Sequence, residues 1–272
     1  MINHPKYKNL ISYLKNLGSA VVAYSGGVDS TFLLASAKEA LGKNVLALTI
    51  DTPYIANWEI EEAVEICHKL NVSHKVVKAD MIDSIKTNPP DRCYLCKKHL
   101  FQTLISIAES EGLNHVLDGT NNNDLSDHRP GLRALKELKV KSPLKEAGIT
   151  KNEIREFSRQ LNLPTWDKPA YACLLTRIPH NTEIKEEDLT RIEIAEKFLI
   201  DLGFKAVRVR SHGEIARIET DPVHFSKIND PEIKSKIIQK LKSIGYKYIT
   251  LDLEGYRMGS FNPIEEHSKQ IN

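Results

Sequence analysis

No stretch of this sequence stays apolar long enough to span a bilayer, which sets aside a membrane-spanning helix. The first residues, MINHPKYKNL, are polar and hold no apolar leader core, so nothing in them points to secretion. Charge of one sign is scarce. With 38 Lys and Arg against 36 Asp and Glu the net charge is +2, and no lysine-rich arm stands out. Such a chain offers no strong field to nucleic acid or to an anionic membrane surface. Internal repeats and low-complexity tracts are missing as well. Cysteine is sparse, at four. In a chain of this type that number points to a reducing cytoplasm, where a close cysteine pair is more often a metal or redox site than a disulfide. What is present is an ordinary globular composition, 41% hydrophobic and 27% charged, over 272 residues, enough for two domains.

Two further absences fall within the most informative stretch, residues 20–40, AVVAYSGGVDSTFLLASAKEA. No lysine follows its glycines, so it is not a Walker A loop, and Gly26-Gly27 does not supply the GxGxxG of a dinucleotide fingerprint. What remains is an apolar strand from Ala20 to Tyr24, a tight loop from Ser25 to Ser30, and a helix from Thr31 to Ala40. A helix start behind two glycines is a ready anion site: backbone N–H groups and the helix dipole face the ligand, and glycine lets the backbone come close. The plainer role for Asp29 and Ser30 is to cap the helix. The sharper one is contact with phosphate.

The surrounding pattern agrees with that placement. An amphipathic helix covers 6–17, and strands are expected at 44–50, 74–77 and 114–117 with helices between them. This alternation implies an α/β fold with a doubly wound parallel sheet, whose ligands sit at the carboxyl ends of the strands. Ser25–Ser30, Thr49–Thr52 and Gly119-Thr120 all fall at such ends, as does the polar run that continues through Asp127–Gly131. A helix is expected at 150–161, with Thr150 as N-cap and Glu153 completing a capping box. The two prolines of LPTWDKP mark a boundary between a first domain, 1–165, and a second, 166–272. The second domain reads as a small α+β unit with helices at 185–202 and 230–244 and strands at 205–211, 214–219 and 246–253.

Cys93 and Cys96 form a CxxC where a loop enters a helix, and Cys173 lies in a later loop. They could be part of a structural zinc site with His99 or His180, a redox pair, or three ligands of a 4Fe–4S cluster. Cys67 sits on the apolar face of a helix and reads as a core residue. Arg177, Arg208 and Arg210 could together grip a phosphorylated or carboxylated substrate, because guanidinium matches both groups bidentately. Glu196 and Glu219 are either partners of those arginines or a metal pair.

SGGVDS directly after an apolar strand resembles the PP-loop of the N-type ATP pyrophosphatases. More of the chain follows one member of that superfamily. GTNNNDLSDHRPGLRAL (119–135), SPL (142–144), LPTWDKPAYACLLTRIP (163–179), GFKAVRVRSHGEIARIE (203–219) and YITLDLEGYRMGSFN (248–262) resemble, in order, the motif series of the LarE family. The resemblance implies a PP-loop ATP pyrophosphatase domain followed by a smaller C-terminal α+β domain. It implies adenylation of pyridinium-3,5-biscarboxylic acid mononucleotide and replacement of carboxylate oxygen by sulfur, twice, in nickel-pincer cofactor biosynthesis. ATP and Mg2+ would be held by Ala23, Tyr24, Ser25, Gly26, Gly27, Asp29, Ser30, Thr49, Gly119 and Thr120, with Asp29 a catalytic candidate. Arg177, Arg208 and Arg210 would bind the substrate. In the family the cysteine matching Cys173 is either a sacrificed sulfur source or, with a CxxC such as Cys93 and Cys96, a ligand of a 4Fe–4S cluster whose open iron could carry sulfide. The resemblance further implies a homo-oligomer, a hexamer in the family, a cytoplasmic location, and sulfide or a sulfur-donor protein as partner. A tRNA-thiolating PP-loop enzyme is the alternative, which the near-neutral charge disfavours. A zinc-stabilised nucleotide-binding regulator is a third reading.

Overall fold

The computed structural model describes residues 2–126 and 130–256. The parts of the expected motifs at 127–129 and 257–262 lie outside the described residues. The chain divides into two compact units, Met1–Cys173 and Leu174–Asn272. The first unit thus continues eight residues past 165, through the segment that carries Cys173.

The first unit is an α/β fold. In chain order it holds α1 (Pro5–Leu17), β1 (Ala20–Ala23), α2 (Val28–Leu41), β2 (Val45–Asp51), α3 (Asn57–Lys69), β3 (Ser73–Lys78), α4 (Arg92–Ser110), β4 (Val116–Leu117), α5 (Pro130–Glu137), α6 (Pro143–Glu146) and α7 (Lys151–Gln160). The four strands lie in the order β3-β2-β1-β4, and every pairing is parallel. Short apolar strands such as AVVA and VLALTID suit a sheet covered on both faces. Their residues alternate between two cores. Ala20, Val22, Val45 and Ala47 pack with α1, α2, α3 and α7. Val21, Leu46, Leu48 and Ile50 pack with α4 and α5. The expected doubly wound sheet is therefore present.

The strand order fixes where a ligand goes. The chain steps outward from β1 to β2 to β3, then returns across α4 to place β4 on the other side of β1. The switch point lies between β1 and β4, and the loops leaving both strands open at the carboxyl edge. Those loops are 24–27 and 118–121.

The second unit holds α8 (Glu186–Asp201), β5 (Arg208–His212), β6 (Ile215–Glu219), α9 (Phe225–Asn229), α10 (Pro231–Ser243) and β7 (Tyr248–Leu251). β5 pairs antiparallel with β6, and β6 pairs parallel with β7. Val209, Ala216 and Ile218 turn one face of this sheet into a core shared with Ala195, Leu199, Ile237 and Leu241. The residues alternating with them, Arg208, Arg210, Arg217 and Glu219, project from the other face.

Candidate active site

The glycine loop has the geometry its sequence suggests, with one difference. Gly27 is the N-cap of α2, with extended backbone and no side-chain cap. Asp29 and Ser30 lie inside the first turn and do not cap it. The Ser30 hydroxyl folds back toward Gly27 O at 3.3 Å and the Ser25 hydroxyl at 3.1 Å, and accepts from Ser25 N–H at 3.3 Å. The loop is thereby closed on itself, and the first amides of α2, as at any helix start, have no partner within the helix. Gly26 has φ +66°, and a Cβ there would meet Ala63 Cβ at 3.2 Å. Both conformation and space therefore require glycine.

The β4 loop packs directly against this turn. A Cβ on Gly119 would lie 3.2 Å from Ser30 N and 3.3 Å from Asp29 Cβ. Asp118 holds the loop's shape by accepting from Thr120 N–H at 3.2 Å, from the Thr120 hydroxyl, and from Ser142 Oγ at 2.5 Å. Ser142 belongs to the SPL motif, so that block braces the β4 loop. Thr49 donates to Tyr24 O at 2.8 Å and contacts His74 Nε2 at 2.8 Å. Its buried side chain stitches β2 to the end of β1. The Tyr24 hydroxyl lies 3.3 Å from Thr31 Oγ1.

Two lysines that the sequence did not single out complete this edge. Lys151, the first residue of α7, places Nζ 2.5 Å from Asp29 Oδ2, while Asn121 Nδ2 donates to Asp29 Oδ1 at 3.4 Å. Lys168 is buried, and its Nζ donates to Gly26 O at 2.9 Å and to Glu62 Oε2 at 2.7 Å. The capping box that starts α7, found as expected with Thr150 and Glu153, is what aims Lys151 at the loop. Lys168 lies in the DKP of a motif block, but only the folded chain shows that its ammonium is buried.

The cysteines separate by environment. Cys67 is core, and burial pushes its thiol up to about 12. Cys93 and Cys96 stand one turn apart in the first two turns of α4. The Tyr54 hydroxyl is 3.2 Å from Cys96 Sγ. Burial first, then the charges of Cys96 and Cys173, raise the Tyr54 phenol well above its usual range. Burial also raises the Cys96 thiol, with the Tyr54 hydrogen bond opposing and Cys93 reinforcing. Tyr54 thus touches the CxxC through Cys96 and feels the charge of Cys173, a role that the sequence did not indicate. None of the four cysteines is in a disulfide. Among the described residues, no three His, Cys, Asp or Glu side chains are gathered tightly enough to hold a metal ion.

In the second unit, the open question about the glutamates is answered in favour of ion pairing. Arg177 binds Glu196 through two bonds of 2.9 and 2.8 Å, with both side chains buried. Arg210 binds Glu219 in the same bidentate way at 2.9 and 2.8 Å, and also donates to Thr176 O. Arg217 adds a 3.0 Å contact to Glu219 and a 3.3 Å contact to Asp252. Arg208 donates to Val207 O at 2.7 Å, and its guanidinium lies 5.0 Å from the Tyr256 ring centroid. Burial, then the neighbouring charge of Arg177, lowers the Arg208 pKa despite Glu196. The three expected arginines therefore do share one electrostatic neighbourhood. Arg177 and Arg210 each commit one edge to a carboxylate.

No helix among the described residues is long and apolar enough to cross a membrane. Residues 19–90, the strand–loop–helix region and its continuation through β3, match the family model described as "Queuosine biosynthesis protein QueC". An uncharacterised protein of Synechocystis is 40% identical over 95% of this chain and 97% of its own length. The 7-cyano-7-deazaguanine synthase of Clostridium botulinum is 26% identical over 64% of this chain and 85% of its own, a partial likeness. The pyridinium-3,5-bisthiocarboxylic acid mononucleotide synthase of Lactiplantibacillus plantarum is 36% identical over 94% of both chains. A likeness of that extent, joined to a glycine loop closed at the switch point of a parallel sheet, shows that the chain belongs to the LarE family of PP-loop enzymes.

Proposed function

We propose that this chain is an ATP-dependent sulfur transferase that converts pyridinium-3,5-biscarboxylic acid mononucleotide to its bisthiocarboxylic form. The observation that carries the reading is the closed Ser25–Ser30 loop, with Gly119 packed on its helix start and Lys151 beside Asp29. ATP would lie along this edge. Ser25, Gly26, Gly27 and Ser30 would hold the pyrophosphate, with Ala23, Tyr24 and Thr49 behind them and Gly119 and Thr120 beside them. Asp29 is partly exposed, and with phosphate oxygens it suits Mg2+, a hard cation that takes oxygen ligands and neutralises the departing pyrophosphate. The substrate carboxylate bonds to the α-phosphorus as pyrophosphate leaves. Sulfur then bonds to the carbonyl carbon as AMP leaves, and the second carboxylate repeats the cycle.

For the sulfur, the three thiols Cys93, Cys96 and Cys173 have the soft donor chemistry of an iron–sulfur site, and Tyr54, bonded to Cys96 and sensing the charge of Cys173, supports reading them together. By drawing closer together than they stand here, these residues would hold a 4Fe–4S cluster, which when bound supplies a carrier for incoming sulfide. Cys173 as a sacrificed sulfur source is the competing route. Arg177, Arg208 and Arg210 of the second unit are proposed to bind the substrate phosphate, guanidinium being matched to that group. Self-association as a homo-oligomer and a cytoplasmic location belong to the same reading.

The test is anaerobically reconstituted protein with ATP, sulfide and the biscarboxylic mononucleotide. AMP and thiocarboxylate should form together. AMP formation that depends on tRNA instead would support the thiolation alternative. Iron with acid-labile sulfide that is lost in Cys93→Ser and Cys96→Ser supports the cluster. One zinc and no iron, or one turnover that leaves Cys173 without its sulfur, removes it.

A further inference from the structure

We infer that Lys168 is a positioning residue that couples the phosphate loop to the segment bearing Cys173. The inference rests on the sulfur-transferase reading above. Lys168 is 8% exposed, and its ammonium is held by two hydrogen bonds within the first unit. One is to the carbonyl of Gly26, the positive-φ glycine of the loop. The other is to Glu62 on α3, one residue before the Ala63 on which Gly26 rests. A buried ammonium is costly unless such partners surround it, so its place is tightly specified.

The backbone of the same segment is fastened independently. Arg155 on α7 donates to Trp166 O at 2.7 Å and to Lys168 O at 2.9 Å. Lys168 N–H donates to Thr165 O at 3.0 Å. Beyond Lys168, the Tyr171 ring meets Trp58 of α3 edge-on, with centroids 5.0 Å apart. Cys173 follows five residues after Lys168, a chain length of at most about 17 Å. The segment therefore runs from a fixed contact with the phosphate loop, through the Tyr171–Trp58 contact, to Cys173.

This arrangement bears on yield. An acyl-adenylate formed at the loop can be consumed by sulfur, giving thiocarboxylate and AMP, or by water, giving the original carboxylate and AMP. Sulfur wins only if its carrier is held close to the carbonyl carbon, and small misplacements in such reactions cost large factors in rate. Lys168 holds the loop and the carrier segment to one another, so its loss should shift the partition toward water.

The experiment measures thiocarboxylate formed per AMP released in wild type, Lys168→Met and Arg155→Ala, with sulfide in excess. The expected result is a ratio lower by about fivefold or more in Lys168→Met, with a lesser fall in Arg155→Ala. A residue that served stability alone would lower both products together and leave the ratio unchanged, and that result overturns the inference. Arg155→Ala keeps the test informative should Lys168→Met not fold, since an unchanged ratio there also counts against it. Wild-type protein that makes neither product defeats the sulfur-transferase reading itself, and is thereby told apart from failure of the coupling.

Discussion

Lys151 Nζ lies 2.5 Å from Asp29 Oδ2, although 122 residues separate the two in sequence. The pair joins the first residue of α7 to the first turn of α2, so it places a cation at the edge of the proposed phosphate site. Lys151 can donate to phosphate from that position with little movement of its flexible stem. Lys151→Met should raise the KM for ATP. A charge-assisted hydrogen bond contributes about 1.5–3 kcal/mol, so kcat/KM for ATP should fall by about 10- to 150-fold. Steady-state AMP formation measures this. An unchanged KM would leave the lysine a partner of Asp29 and nothing more.

Gly119 gives a second, independent probe of the same edge. Its missing Cβ leaves room for Ser30 N and Asp29 Cβ, atoms of a helix start that cannot retreat without opening the loop. Gly119→Ala should reduce pyrophosphate release at least tenfold while shifting the melting temperature little, because the crowding falls at the site and away from the two cores. Gly119→Val should worsen the defect. Wild-type activity in the alanine variant would show that the β4 loop does not line the nucleotide.

Much of this edge was legible in the sequence because its signals are local. Apolar runs gave β1 and β2, SGGVDS gave the turn, and Thr150 with Glu153 gave the start of α7. Two kinds of feature were hidden. Gly27 rather than Asp29 or Ser30 became the N-cap, because Ser30 bonds within the loop and Asp29 bonds to Lys151. Such a choice is decided by distant residues. Lys168 and Tyr54 were hidden for the same reason: a Pro-flanked lysine and a tyrosine in a turn look solvated until folding brings Gly26 and Cys96 to them. In the second unit, the alternation of KAVRVRS placed Arg208 and Arg210 on one face, and Glu196 and Glu219 stood as their partners or a metal pair; which arginine each carboxylate meets needed the folded chain.

The pairing of Arg177 with Glu196 makes a stability prediction. Both side chains are buried, and Glu196 Oε1 also accepts from Val209 N–H at 2.9 Å, tying α8 to β5. Removing one partner leaves an uncompensated buried charge, which typically costs about 3–5 kcal/mol. Glu196→Ala should therefore lower the urea midpoint markedly, while Glu65→Ala, which breaks the exposed pair with Lys69, should change it hardly at all. Equal midpoints for the two variants would show that the buried pair contributes no more than a surface one.

Glu219 and His212 predict how stability falls with acid. Burial alone would raise the Glu219 carboxyl, but hydrogen bonds and charge from Arg210 and Arg217 outweigh it and hold the group below its usual 4.5. Above about pH 4.5 the folded and unfolded chains both carry this carboxylate ionised, and its ion pairs contribute in full. As pH falls below that value the unfolded chain takes up a proton first, and the contribution is lost progressively through the lower folded pKa. His212 is displaced downward from 6.5, by burial first and then by Arg217 and Arg210. Burial displaces His74 in the same direction. For these histidines the unfolded chain again protonates first, so stability begins to decline below about pH 6.5. Melting temperature followed from about pH 8 to about pH 2.5 should therefore fall in two stages, the first from the histidines and the second from Glu219. Glu219→Gln should be less stable than wild type at neutral pH, yet flatter across the second stage. A variant that keeps the wild-type slope there would show that the Arg210–Glu219 pair does not govern the acid limb.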